Sequence, residues 1–409
     1  MTLPRIPRRK EDAVMNELDF PAFDADNHYY EATDAFTRHL DPAMARRCVQ
    51  WAEVNGRQYH LVGEKVSHAV VNATFDPIAI AGAMYEYFRG NPNELMPTDF
   101  LREREPIPAY YRDRDARLEL MDTQGLERVW MFPTLGVLYE ELLKDDIPAL
   151  THTFSAFNRW AEEDWGCNYK DRIYASPYIT LADLDAAVAE IEWALAHDAR
   201  VVCMRPAAVL SARGPMSPFD KYFDPFWARV NEAGITVVAH AGDSGYTTHG
   251  YADRSFSAFG DTGGSRPSIA GFRLERAAHD FFITSIFDKL FVRHPNVRLA
   301  SVENGSAWVA KAFKRIESTR RKAPHYFKGH DPLELFKSNI WINPFWEDDP
   351  YEAIELMGAD RIIFGSDWPH VEGMPQPLDY AKEVKELDEA DLRKVMYENS
   401  VELSTPRPA

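Results

Sequence analysis

From about residue 117 the chain alternates short, β-branched apolar segments with amphipathic helical stretches, and this alternation restricts its fold more than any other feature. Eight segments read as strands: Phe20–Asp26, Arg128–Pro133, Ile173–Ile179, Arg200–Met204, Ile235–His240, Val297–Glu303, Asn339–Asn343 and Arg361–Gly365. Between them lie helices such as Asp183–His197, where Leu184, Val188, Ile191 and Leu195 recur at helical spacing and Thr180 or Asp183 supplies an N-cap. Eight strand–helix pairs in 409 residues point to an α/β fold, a (β/α)8 TIM barrel with insertions. An open doubly wound sheet is the rival. No G-x-G-x-x-G or P-loop pattern follows any strand, so its nucleotide-binding version has no support.

Two stretches enlarge the simple alternation. Residues 29–116, after the first strand, are far longer than an ordinary βα loop, and Arg57–Val71 within them reads as a β-hairpin turning near Gly63-Glu64. Residues 242–271, rich in Gly and Ser, read as a flap after strand five. Both belong over the C-terminal mouth of a barrel, where long loops serve as lids or substrate-binding elements. The expected organisation is one metal-dependent barrel domain over residues 17–403, with loose tails at 1–16 and 404–409.

Charge and composition remove several function classes. With 64 acidic against 46 basic side chains the net charge is −18, and the densest basic runs, Arg8–Lys10 and Arg320–Lys322, are short and isolated. A phosphate backbone would be repelled, so nucleic-acid binding is set aside. No apolar run approaches the ~18–20 residues of a membrane span, and Met1–Asn16 lacks the apolar stretch of a signal peptide. A cytoplasmic protein is expected. Cys48, Cys167 and Cys203 are too few and scattered for a disulfide framework or a Cys-type zinc site, so any metal must be held by His and carboxylate.

What ends each strand carries the chemistry. In a parallel barrel all strand C-termini open on one face, so polar groups placed there converge. Strand one ends Asp24-Ala-Asp26-Asn-His28, with Asp24, Asp26 and His28 alternating onto one side. Strand five ends at His240, strand six at Glu303, and strand eight runs into Ser366-Asp367-Trp368-Pro369-His370. Taken singly, a His after a strand is more often a hydrogen-bonded loop residue, and a carboxylate there is often a helix cap. Together they form a ring of two His and three carboxylates, which would repel itself without a cation. A bound divalent ion is the simpler account.

These residues resemble the amidohydrolase-related superfamily, and within it the branch of aminocarboxymuconate-semialdehyde decarboxylase-like enzymes. The likeness runs from about residue 20 to 403. It rests on the Asp26-Asn-His28 motif, His240, FGSDWPH around Asp367, the Arg117-Leu-Glu-Leu-Met-Asp run, Phe291-Val-Arg-His-Pro-Asn, Glu303-Asn-Gly-Ser-Ala-Trp and Met396-Tyr-Glu-Asn-Ser. The resemblance implies that Asp26, His28, His240 and Asp367 hold a catalytic metal. The family's usual first motif is His-x-His; here an anionic oxygen replaces one nitrogen, and Glu303 stands where many members carry a His. Where other amidohydrolases place a metal-bridging lysine after strand four, this chain has Cys203-Met204-Arg205. Through Asp24-Ala-Asp-Asn-His-Tyr-Tyr-Glu31 and its acidic strand six, the chain is also similar to a TIM-barrel subgroup of nonheme diiron monooxygenases.

Fe, Mn and Zn, as one ion or two, fit such a donor set, with Glu303, Glu31 or His370 able to bring in a second ion. His279, near the mouth, is a candidate proton donor; Asp367, which either ligates the ion or takes a proton from metal-bound water, and Glu303 are the other candidate catalytic residues. Arg205 and Arg273 are candidate anchors for a substrate carboxylate or phosphate, and Tyr30 and Trp346 are candidate pocket walls. The expected activity is hydrolysis or decarboxylation of a small organic acid or acyl-CoA substrate. The alternatives are a diiron oxygenase hydroxylating a CoA-linked or terpenoid acid, and a non-catalytic ligand-binding barrel. Pairing of barrels through the 29–116 insertion into a homo-oligomer is a further expectation.

Overall fold

The structure is a computed structural model that describes residues 18–70, 72–246 and 272–407. Strand β1 (Ala22–Tyr29) pairs in parallel with β2 (Leu126–Pro133), and β2 with β3 (Ile173–Ala175). Strands β4 (Val201–Met204), β5 (Thr236–His240), β6 (Arg298–Val302) and β7 (Ile340–Ile342) pair in that order, all parallel. Backbone hydrogen bonds join the two groups at both edges. Cys203 N donates to Pro177 O at 2.9 Å and Ile179 N to Cys203 O at 2.8 Å. On the other side Ile363 N donates to Ile342 O and Ala25 N to Phe364 O, each at 2.9 Å. The circuit therefore passes through an eighth segment, residues 362–365, whose pairing consists of single bridges rather than a ladder. This is the TIM barrel expected from the alternation.

Burial explains why these segments read so plainly. Every residue of β5 and β6 is buried, as befits parallel strands covered on both faces. Helix Leu184–Ala196 shows how the outer ring is set: Asp183 caps it by accepting from Ala186 N, and Ala187, Ile191 and Ala194 face the barrel. Strands one and eight approach closely where Gly365 stands, since a Cβ there would lie 2.5 Å from Asp26 Cβ. The expected tail at 404–409 begins too early. Ser404 is buried and accepts from Trp130 Nε1 at 2.8 Å, and Arg407 N donates to Gly234 O. Residues 1–16, most of the 242–271 flap and the last two residues lie outside the described residues.

The 29–116 insertion contains an antiparallel sheet of Val49–Val54, Arg57–Val62 and Lys65–Val66. Gly63-Glu64 does turn the chain, but into a strand of only two residues. The longer hairpin is the preceding one, around Asn55-Gly56, both in the left-handed region. A second pair, Ile78–Ala79 with Arg104–Glu105, lies nearer the barrel mouth.

This second part is bonded to the loop after strand eight: Gly82 N donates to His370 O at 2.9 Å and Met84 N to Val371 O at 2.8 Å. Ala79, Met84 and Val371 form a small apolar cluster there. Among the described residues no helix is long and apolar enough to cross a membrane. Gly82 has φ +67°, and a Cβ would sit 2.6 Å from the Pro375 backbone nitrogen. Gly82→Ala is therefore expected to lower stability by about 1–3 kcal/mol, read from the denaturant midpoint. An unchanged midpoint would mean that the insertion is not seated here.

Candidate metal centre

The register of β1 slips between Asp24 and Asn27, and this separates the tasks of its polar residues. Asp24 turns toward strand eight, where it accepts from Ser366 Oγ at 2.5 Å and Ser366 N at 2.9 Å, and from Asn27 Nδ2 at 2.8 Å. It is a bracket between the first and last strands rather than a ligand. Burial pushes its carboxyl up to about 7, against those hydrogen bonds. On the other side of the bracket Asp367 N donates to Asp26 O and His28 N to Trp368 O, both at 2.8 Å. Arg117, itself buried, donates to Asn27 Oδ1 and His28 O, holding the end of β1 from behind.

Asp26, His28, His240 and Glu303 direct one ligand atom each to a shared point, all within 4.8 Å of one another. His28 Nε2 lies 3.4 Å from Asp26 Oδ1 and 3.8 Å from Glu303 Oε2. His240 Nε2 lies 3.5 Å from each of the same two oxygens. Asp367 Oδ1 is 3.4 Å from His28 Nε2. Asp26 Oδ1, His28 Nε2 and His240 Nε2 are buried without a hydrogen-bond partner, which for a polar atom is costly. His240 Nδ1 donates to Ala241 O at 2.8 Å, leaving the Nε2 lone pair aimed at the shared point. Two imidazole nitrogens and carboxylate oxygens around orphaned atoms are what a divalent cation of the Mn, Fe or Zn type requires, so the residues fit such an ion.

Backbone and charge agree with that reading. Glu303 and Asp367 both sit in the left-handed region, at φ 55° and 56°, where non-glycine residues are strained and tend to mark functional positions. Burial, then the negative charges of Asp367 and Asp26, pushes Glu303 well above the usual carboxylate range. Asp367 rises likewise, through burial and then Glu372 and Asp26. Burial also tends to raise Asp26, but the imidazoles of His240 and His28, 3.5 and 3.4 Å away, outweigh it and bring the carboxyl down to about 2. Such unequal carboxylates in one buried cluster show negative charge awaiting a counter-ion.

Asp367 Oδ1 also bonds His370 Nδ1 at 2.6 Å. Glu372 joins this side, forming with Glu303, Asp367 and His370 a second group of ligand-type atoms. Glu372 was missed in the sequence, although it shares a face with His370 two residues earlier. Glu31 takes a different part from the one expected: it accepts from Leu135 N at 2.7 Å and Gly136 N at 3.0 Å, fixing the start of helix Gly136–Leu143.

Beside the cluster opens a cavity of about 190 Å³, lined mainly by apolar side chains and reached by His28, Glu303, His370 and Glu372. Tyr30 and Arg273 line it as expected. Three expected site residues do not. Arg205 is buried beneath the mouth, 2.7 Å from Glu141 Oε2 and 3.3 Å from Glu140 Oε2, and donates to Asp243 O, so its charge is used internally. Trp346 stacks on Tyr85 and donates to Glu372 O, tying the insertion down. His279 lies on helix Arg273–Phe287, bonded to Asp280, outside both ligand groups and the cavity wall.

The family model for amidohydrolases matches residues 111–403. The chain belongs to the amidohydrolase family. It is a metal-dependent enzyme, a hydrolase or carboxy-lyase. A solved amidohydrolase from Mycobacterium avium subsp. paratuberculosis is 40% identical, with TM-score 0.88, covering 95% of this chain and 100% of its own. The gamma-resorcylate decarboxylase of a Rhizobium species is 25% identical over 63% of this chain and 76% of its own. A dihydroxybenzoic acid decarboxylase from Polaromonas, solved with bound manganese, shares the fold at TM-score 0.56 and 17% identity, over 79% of this chain and 93% of its own.

Because Arg205 is buried against Glu140 and Glu141, Arg205→Leu should cost about 3–5 kcal/mol of stability by leaving the buried Glu140 with hydroxyl partners but no counter-charge. Calorimetric unfolding measures this. A variant as stable as the parent would return Arg205 to the list of substrate residues.

Proposed function

We propose that this amidohydrolase is a metal-dependent decarboxylase of an aromatic or similarly apolar organic acid. The observation that carries this reading is the cluster Asp26, His28, His240 and Glu303, with Asp367, at the floor of a predominantly apolar cavity. The decarboxylases among the relatives support it, and the manganese of the Polaromonas enzyme makes that ion the first to try. A cation held by Asp26, His28, His240, Glu303 and Asp367 supplies Lewis-acid polarisation of a substrate oxygen.

The chain supplies the proton. Thr134 Oγ1 donates to Tyr29 O at 2.8 Å, so toward His370 Nε2, 3.0 Å away, it acts as acceptor. With Nε2 thus protonated, the 2.6 Å contact between His370 Nδ1 and Asp367 must itself contain a proton, held on one partner or the other. As the bond from the substrate ring or chain to its carboxylate breaks, carbon dioxide leaves. The electron pair left on carbon takes the proton from Asp367. One proton is consumed and one carbon dioxide released, with no oxidant needed. Asp367, left as a carboxylate, regains a proton from solvent before the next cycle, with His370 and Thr134 orienting it. The apolar walls keep water from competing for the carbanion-like carbon.

A second reading draws on Glu303, Asp367, His370 and Glu372 as seats for a second ion. Two irons there would suit an oxygenase, and dependence on oxygen separates the two readings. Manganese-loaded enzyme incubated under argon in D2O with a panel of hydroxybenzoates is expected to release carbon dioxide and leave one deuterium at the vacated carbon. Turnover that needs oxygen and an electron donor, or hydrolysis of esters or lactones with no loss of a carboxylate, would overturn the decarboxylase. His240→Ala should lower manganese affinity by at least about 100-fold, more than loss of a residue that merely orients a ligand. Titration calorimetry on the folded variant checks this, and parental affinity would remove His240 from the ligand set.

A further inference from the structure

The family match begins at residue 111, yet much of the cavity wall comes from before it. Val70, Phe75, Pro77, Ile78 and Leu101 are all contributed by the 29–116 insertion and line the same cavity as His28, Glu303, His370 and Glu372. They do not reach it by chance packing of a loose loop. Phe75 lies against Tyr30 with ring centroids 4.5 Å apart, and Arg112 donates to Glu31 O and Thr74 O at 2.8 Å each. Ile78–Ala79 is paired with Arg104–Glu105, and the adjoining Gly82 and Met84 are bonded to the loop that carries His370.

At the outer rim of this wall stands Arg104. It is solvent-exposed, whereas the apolar residues around it are mostly buried or half-buried. Burial orders the lining from His28, fully buried at the ligand cluster, through the mostly buried or half-buried apolar residues, to the exposed Arg104.

From this order we infer that the insertion is the specificity element of the enzyme. It selects acids whose apolar body extends from the metal-side carboxylate along Phe75 and Ile78, with a second anionic group beyond it meeting Arg104. The substrate class is an extended, apolar dianion larger than a single hydroxylated ring. This rests on the reading of the cluster as the place where the reacting carboxylate is held. Apolar contact along the wall provides most of the selectivity, because each buried methylene adds to affinity while an exposed ion pair adds little.

The test compares three probes on the manganese-loaded protein by titration calorimetry: benzoate, 4-butylbenzoate and 4-(3-carboxypropyl)benzoate, the last two being nearly isosteric. In the parent protein 4-butylbenzoate should bind about tenfold tighter than benzoate. The dianion should bind a further two- to fivefold tighter at low salt, a gain of about the size expected for an exposed ion pair. Ile78→Asp should collapse the ratio between the first two probes, and Arg104→Gln the ratio between the last two. Ratios are read because they are insensitive to a general loss of active protein.

A parent ratio near one for benzoate and 4-butylbenzoate overturns the inference without any variant, as does an Ile78→Asp protein that keeps the parent ratio. An Arg104→Gln protein that still prefers the dianion overturns the part assigned to Arg104. Binding and carbon dioxide release fail separately. If the ratios behave as expected but no probe or hydroxybenzoate loses its carboxylate, the specificity element stands and decarboxylation falls.

Discussion

Packing imidazoles and carboxylates at the top of an apolar barrel is the constraint on which the rest of the molecule depends. Asp26, His28 and His240 are buried, with facing atoms that no protein group satisfies. Glu303 reaches the same point, and Asp367 closes on His28 beside it, both from strained backbone positions. An arrangement of that kind persists only if the surrounding structure holds it and a cation offsets its charge. The surrounding structure does so from behind. Asp24 locks strand one to strand eight through Ser366, and Arg117 grips the carbonyl of His28 and the side chain of Asn27. The centre is thus built across the seam where the barrel closes, and closure and ligand placement are the same event.

How much of this was legible before the structure follows from the range of the forces involved. Strand periodicity and the residue that ends each strand are local, and a parallel barrel delivers all such ends to one face. Strand-end position, together with the family resemblance, therefore picks out Asp26, His28, His240, Glu303 and Asp367 as candidates, and the fold brings their ligand-type atoms close together. Arg205 could not be placed correctly, because its partners Glu140 and Glu141 lie on a helix more than sixty residues earlier, and only packing shows that its charge is already used. His279 depended on the phase of a helix around its axis, which a one-residue error turns by about 100°. Trp346 follows a strand as expected, but its ring is turned onto Tyr85 of the insertion, a contact no local pattern encodes. The hairpin was misread because Gly63-Glu64 drew attention from Asn55-Gly56, although both turn the chain.

The acidic balance of the chain also gains a second meaning. Many carboxylates lie exposed at the surface, as do Glu386, Asp388 and Glu389 around the start of helix Glu389–Arg393, and serve solubility. A few are placed where acidity is a chemical resource. In the proposed mechanism the bond between Asp367 and His370 stores a proton beside the cavity, with Thr134 occupying the far side of the imidazole. Glu31, three residues after His28, places its charge at a helix start instead.

The pairing of Gly82 and Met84 with the backbone at His370 and Val371 means that the wall of the cavity and the loop after strand eight are one mechanical unit. A lineage altering what the pocket accepts would have to do so by exchanging side chains on a fixed frame, since shifting the frame would displace His370. For anyone redesigning the enzyme, the insertion and the loop of residues 366–375 form a single cassette. Grafting either alone onto a shorter barrel of this family would carry over the shape of the pocket or its proton store, but not both.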